Sequence, residues 1–251
     1  MRKIVFIAMA WLFTVSAAWC DPLVFVAEDG FPPYSYYEHG RVQGIDAEVL
    51  REAGSRAGVD VKVELVPWKR VLFMVQSGQV DGAIAMFRNE EREKIFHFSK
   101  NPVHVTNLVA FFPKGSSFRY RTIADLYDMT AFVIAGYAIS AEFEEAVKQG
   151  KIRRVEVNNI ADGLNRLQKQ ENSCFIGNRV SVFYYARRHG VADKIEPAVG
   201  PPVKKRGAYM SVSKVEFNNP DRKAEFKRLD AELGKMIRDG TTTHITDNYT
   251  R

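Results

Sequence analysis

Val80-Asp81-Gly82-Ala83-Ile84-Ala85-Met86-Phe87 leads directly into Arg88-Asn89-Glu90-Glu91-Arg92, and Phe96-His97-Phe98-Ser99 follows shortly after. Gly82 to Phe87 is apolar and uncharged, the pattern of a short strand buried on both faces of a parallel sheet. Asn89 reads as a helix N-cap, with Glu90 and Glu91 in the first turn, where the helix dipole favours acidic side chains. Arg92 then falls at about the third helical position, beside the free N–H groups of that turn. A strand end, a turn and a helix start bearing an arginine suit a carboxylate. The competing reading makes Arg92 one more solvated charge in a charge-rich run.

On the N-terminal side, Leu23 to Ala27 predicts a strand ending at Glu28-Asp29-Gly30. Phe31-Pro32-Pro33-Tyr34 is a stiff aromatic loop, because proline fixes its own φ and restricts its predecessor. Glu38-His39-Gly40-Arg41 is a turn. Asp46 is expected to cap a helix carrying Ile45, Val49, Leu50, Ala53 and Ala57 on one side and ending at Gly58. Val59, Val61, Val63 and Leu65 alternate with polar residues as in a strand. Pro67 opens a helix with Trp68, Val71, Leu72 and Val75 on one face, stopped by Gly78. Together with Gly82 to Phe87 this is β-α-β-α-β order, the grammar of a parallel sheet covered by helices.

A second unit with similar grammar follows Phe112-Pro113-Lys114-Gly115. It comprises a short capped helix at Thr122 to Leu126, a strand from Thr130 to Ala135, a turn at Gly136-Tyr137-Ala138-Ile139 and a helix capped by Ser140. A strand from Ile152 to Val157, a helix face of Ile160, Leu164 and Leu167, a buried strand at Cys174 to Gly177 and a helix through Val182, Tyr185 and Ala186 come next. Ala208 to Val212 is a further strand. Asn219-Pro220-Asp221 opens a long helix with Phe226, Leu229, Leu233 and Ile237 on one face, and Thr243 to Tyr249 forms a last short helix.

The 251 residues suffice for two modest domains, with 46% hydrophobic and 26% charged residues as in an ordinary globular protein. The net charge of +6 includes Arg2 and Lys3. Lys204-Lys205-Arg206 is the only dense basic cluster, and no basic stripe interleaved with aromatics points to nucleic acid. Residues 1–20 read as a secretory signal: Arg2 and Lys3, then the apolar run Ile4 to Ala18, then a small-residue cleavage site. Trp19 before Cys20 departs from a lipoprotein signal, so a freely soluble exported protein is expected. Whether the cut falls before or after Cys20 is left open by the sequence, and Cys174 is the one cysteine sure to remain, which implies no disulfide framework. The histidines His39, His97, His104, His189 and His244 lack metal-ligand spacing, so they are assigned solvated or structural roles and no metal or cofactor is expected.

Glu28 to Tyr34, Gly44-Ile45-Asp46, Pro67-Trp68, Gly78 to Asp81, Glu91-Arg92 and Phe98-Ser99, in this order, resemble the bacterial family 3 extracellular solute-binding proteins. The resemblance extends over essentially the whole mature chain, including Ile123-Ala124-Asp125-Leu126 and Asp239-Gly240. It implies an α/β, type II periplasmic binding protein fold: two α/β lobes joined by two hinge strands, with the ligand cleft between them. Lobe one would span 21–110 plus 207–251 and lobe two 111–206. The implied protein is a monomeric periplasmic receptor that traps a small carboxylate-bearing solute, an amino acid or a relative of one, and delivers it to an inner-membrane ABC permease.

By the same resemblance Arg92 binds the ligand's carboxylate, Glu28 supplies an acidic position, Phe31 stacks on the ligand and Trp68 lies near the cleft mouth. The turn at Gly136-Tyr137-Ala138 meets the carboxylate from lobe two. Two positions depart from the family pattern. Asn178 stands where relatives that bind free amino acids carry an aspartate for the α-ammonium. A desolvated ammonium without its carboxylate loses about 3–5 kcal/mol, more than a hundredfold in affinity, unless Glu28 takes it. Ala85, Met86 and Phe87 replace the small hydroxyl residues that precede the arginine in many relatives, which favours a ligand with an apolar or aromatic part. Trp68 equally suits a helix core, and Asn178 a helix cap. The scaffold also hosts a dehydratase of prephenate-like acids, and a ligand-sensing subunit for a membrane signalling partner has the same sequence grammar. With no nucleophile–base pair, phosphate loop or metal cluster, the chain is not expected to be an enzyme.

Overall fold

A computed structural model describes residues 21–250, so the expected signal segment lies outside the described residues. Strand β1 is Leu23–Glu28, and β2 (Tyr36–Glu38) and β3 (Arg41–Gln43) form a hairpin. His39 and Gly40 at its tip have φ of 51° and 73°, the left-handed pair that a tight hairpin requires. Helix α1 (Ile45–Ala57) ends as expected on Gly58, which is left-handed at φ 60°.

Asp46 does not cap α1. Gly44 takes the N-cap position at φ 119° with no side-chain bond, because the aromatic loop fills the capping space. Ile45 N–H donates to the Pro33 carbonyl and Asp46 N–H to that of Tyr34. A β-carbon on Gly44 would stand 2.2 Å from the Tyr34 oxygen. Asp46 is therefore turned inward and is only 1% exposed.

β4 (Val61–Val66), α2 (Trp68–Gln76), β5 (Gly82–Phe87) and α3 (Glu90–Ile95) follow. Pro67 is the N-cap of α2. Asn89 caps α3 as its chemistry predicts, its Oδ1 accepting from Arg92 N–H at 2.8 Å. Helix α3 has only six residues, and the chain turns directly into β6 (Phe96–Pro113), a single strand of 18 residues. Local pattern does not reveal β6, because Asn101-Pro102 reads as a turn. In the structure Pro102 sits at a register shift of the ladder, a place where a strand tolerates a residue without an N–H.

β7 (Thr130–Ile134), α4 (Ala141–Lys148), β8 (Arg153–Val157), α5 (Ile160–Leu167), β9 (Ser173–Asn178) and α6 (Arg179–Arg188) repeat the earlier grammar. Ser140 caps α4 by accepting from Phe143 N–H. β10 (Ile195–Pro197), β11 (Lys204–Ser213), α7 (Pro220–Arg238) and α8 (Thr241–Asn248) complete the described chain. On α7, Leu229, Leu233 and Met236 are buried, while Ile237, expected on that face, is 39% exposed.

The main sheet runs β4-β1-β5-β11-β6-β9-β7-β8, with β10 beside β6. β4, β1 and β5 are parallel, as are β8, β7 and β9. The antiparallel pair β6–β11 lies between these two triplets, joined to β5 through β11 and to β9 through β6. Separate apolar clusters serve the two sides: Phe25, Leu50, Ile84 and Leu229 belong to one, Phe132, Leu164, Phe175 and Val182 to another. In each triplet the first strand is central, so the strand order reverses there and leaves a crevice beyond the C-terminal ends. Crevices of this kind are where α/β sheets bind ligands.

Candidate functional site

The C-terminal ends of both triplets open on one cavity of about 640 Å3. Glu28 comes from the end of β1, Phe87 from the end of β5, and Asn178 from the end of β9; the Gly136-Tyr137-Ala138 turn follows β7. Phe31 from the aromatic loop, Trp68 from the start of α2 and Arg92 from α3 line the same space. Seven residues singled out in the sequence thus meet in one cavity.

Arg92 is held by the chain beside it. Its Nη1 donates to the Phe87 carbonyl at 2.8 Å, and its guanidinium carbon lies 4.8 Å from the Trp68 ring centre, a cation–π distance. Trp68 therefore acts as a backing plate for the arginine as well as a wall. Burial first, and the nearby Arg206 guanidinium second, lower the Arg92 pKa below its ordinary value. Arg92 forms no ion pair among the described residues. Helix α3 is too short to add much of a dipole, so anion attraction rests on the guanidinium itself.

Glu28, at the end of β1, is an acidic residue of the same lining. Desolvation raises its carboxyl pKa, and its charge in turn raises that of the Tyr137 hydroxyl, already raised by burial. A carboxyl whose pKa is higher in the folded than in the unfolded chain costs stability when ionised. The cost is present at neutral pH and vanishes once both states are protonated. Glu28→Gln is therefore expected to raise the unliganded Tm at pH 7. The gain should shrink to nothing as pH falls below the ordinary value of 4.5, as a thermal melt series across pH would show.

Asn178 has two tasks. Its Oδ1 accepts from Val180 and Ser181 N–H groups at 2.9 and 3.3 Å, capping α6. It also lies 3.2 Å from the Tyr34 hydroxyl. Tyr34 is buried, stacks on Phe31 with ring centres 5.1 Å apart, and lies 4.1 Å from the His104 ring. The loop prolines thus present Phe31 to the cavity with a rigid aromatic support behind it.

The polar lining residues His104, Thr106 and Arg206, from β6 and β11, and Ser35, from the loop after β1, escape local reading. His104 Nδ1 lies 2.5 Å from Asp46 Oδ1, with both side chains almost wholly buried. A carboxylate can only accept, which assigns the proton to Nδ1; Nε2 has no partner among the described residues. The Lys204-Lys205-Arg206 cluster could have flagged Arg206, whereas nothing around His104 marks it. Among the described residues no group of His, Cys, Asp and Glu could hold a metal ion, and no helix is long and apolar enough to cross a membrane.

The profile of the bacterial extracellular solute-binding proteins, family 3, matches residues 23–251. The L-cystine-binding protein TcyJ of Escherichia coli K12 is 24% identical over 143 residues, 56% of this chain and 52% of that protein. The chain thus aligns with about half the length of that relative. The amino-acid-binding protein AabA of Dichelobacter nodosus is 25% identical over 223 residues, 86% of this chain and 83% of that one. Substrate binding domain 2 of Lactococcus lactis GlnP, in its open conformation, superimposes with a TM-score of 0.74 at 18% identity, covering 92% of this chain and 96% of that one. The unliganded, open L-cystine solute receptor of Neisseria gonorrhoeae gives 0.72 at 18%, covering 91% and 92%. These likenesses establish the type II periplasmic binding protein fold.

Proposed function

Because the chain belongs to the bacterial extracellular solute-binding proteins of family 3, we propose that it is a periplasmic receptor for a small carboxylate-bearing solute, delivered to an ABC permease. Residues 21–110 with 207–251 form one lobe and 111–206 the other. β6 and β11 are the hinge strands, and closure over the solute is the working motion. Export by the segment 1–20 and a monomeric receptor complete this reading.

The observation that carries it is Arg92, a half-buried guanidinium in the cavity wall with no acidic partner among the described residues. A desolvated cation of this kind awaits an anion, and the planar fork of arginine matches a carboxylate. Glu28, in the same lining, would take an ammonium in place of the aspartate that Asn178 replaces. Phe31 and Trp68 would flank the solute, and Ala85 and Phe87 would cover its apolar part. Tyr137 and Asn178 would close from the second lobe.

A thermal-shift screen of the exported protein against amino acids, L-cystine and simple carboxylic acids tests the reading. A rise in Tm with one class of carboxylate is expected; shifts only with uncharged solutes would refute it. The Asp46–His104 pair beside the cavity is the one observation favouring a dehydratase on this scaffold. Incubation with prephenate or arogenate separates the readings, since a receptor binds without forming product.

A further inference from the structure

The basic cluster at 204–206 is unused by the reading above, and its third residue enters the cavity. Alternation along β11 separates Arg206 from exposed Lys205. Arg206 is half-buried, lines the cavity, and sets its guanidinium carbon 4.5 Å from the centre of the Phe87 ring. Arg92 donates to the carbonyl of the same residue. The two cations are close enough for Arg206 to depress the Arg92 pKa. Neither has an ion pair among the described residues.

Two like charges in a partly desolvated wall repel each other and lower the stability of the empty protein. The other cavity charges do not relieve them. Asp46 is bonded to His104, and Glu28 acts on Tyr137; neither arginine contributes to the Glu28 shift. The lining thus carries two guanidiniums without an ion pair among the described residues, and its carboxyl groups, Glu28 and Asp46, are not paired with either of them.

We infer that Arg206 is a second anion-binding residue and that the solute carries two carboxylates, one for each guanidinium. This rests on the receptor reading and narrows its substrate class. A dicarboxylate bearing one ammonium would neutralise all three free charges, Arg92, Arg206 and Glu28. A monocarboxylate would leave one half-buried guanidinium uncompensated.

Calorimetry on the full exported chain with matched pairs, L-glutamate against L-glutamine and glutarate against butyrate, tests the inference. The dicarboxylate of at least one pair should bind tenfold or more tighter. Arg206→Gln should remove that preference and raise the unliganded Tm by about 1–3 °C. Equal affinities within both pairs, or a preference that survives Arg206→Gln, would overturn it. So would tighter binding of glycerol phosphate than of any dicarboxylate, which would put both charges on one head. Loss of binding in Arg92→Gln separates the two levels: if it occurs without an Arg206 effect, the receptor reading stands and only the dicarboxylate falls.

Discussion

Arg92→Ala is expected to weaken binding of the carboxylate solute by between about 30-fold and several thousandfold. Truncating one member of a desolvated, hydrogen-bonded charge pair costs about 2–5 kcal/mol, and each 1.4 kcal/mol is about a factor of ten. Much of that loss is the penalty left on the ligand's carboxylate, enclosed without its counter-charge. Arg92→Lys should fall between, because an ammonium keeps the charge but lacks the planar fork and stacks less well on Trp68. The unliganded Tm should move little by comparison. Alanine removes the bond to the Phe87 carbonyl and the Trp68 contact, but it also removes a cation repelled by Arg206. Calorimetry with parallel melts checks both parts, and undiminished affinity in Arg92→Ala would remove the basis of the carboxylate assignment.

The largest effect on stability is expected at Asp46. Its carboxylate is buried, sits in the first turn of α1, and lies 2.5 Å from His104 Nδ1. Losing one partner of a buried pair costs about 3–5 kcal/mol, a fall in Tm of roughly 6–20 °C for a chain of this size. His104→Leu should be similarly harmful, since it strands the carboxylate. The double variant should lose clearly less than the sum of the two, because no unpaired polar group then remains. A denaturant-unfolding cycle measures the coupling. Strictly additive losses would mean that the two side chains contribute by packing alone.

Both experiments probe a site that the chain reveals unevenly. The part built from strand ends and the turns after them was legible. Glu28, Phe87 and Asn178 terminate apolar runs, and Phe31, Trp68 and Arg92 follow such runs at short, patterned distances. Asn89, Ser140 and Asn178 cap the helices their chemistry suggests, because capping involves neighbours two or three residues away. Asp46 departs from the cap its local pattern predicts for a tertiary reason. Its composition suits a cap, but the Pro33–Tyr34 backbone occupies the capping position and His104, far along the chain, receives the side chain.

Periodicity, caps and breakers by themselves determined two β-α-β-α-β units with apolar strands and an arginine poised after one of them, since each of those signals acts within a few residues. Only the tertiary structure decided that both sets of strand ends share one cavity, that β6 continues through Asn101-Pro102, and that β6 and β11 bring His104, Thr106 and Arg206 into the lining. Those contacts join residues far apart in the chain, through ladder register and through charges exposed or buried by folding. Neither quantity is written in any local stretch of amino acids.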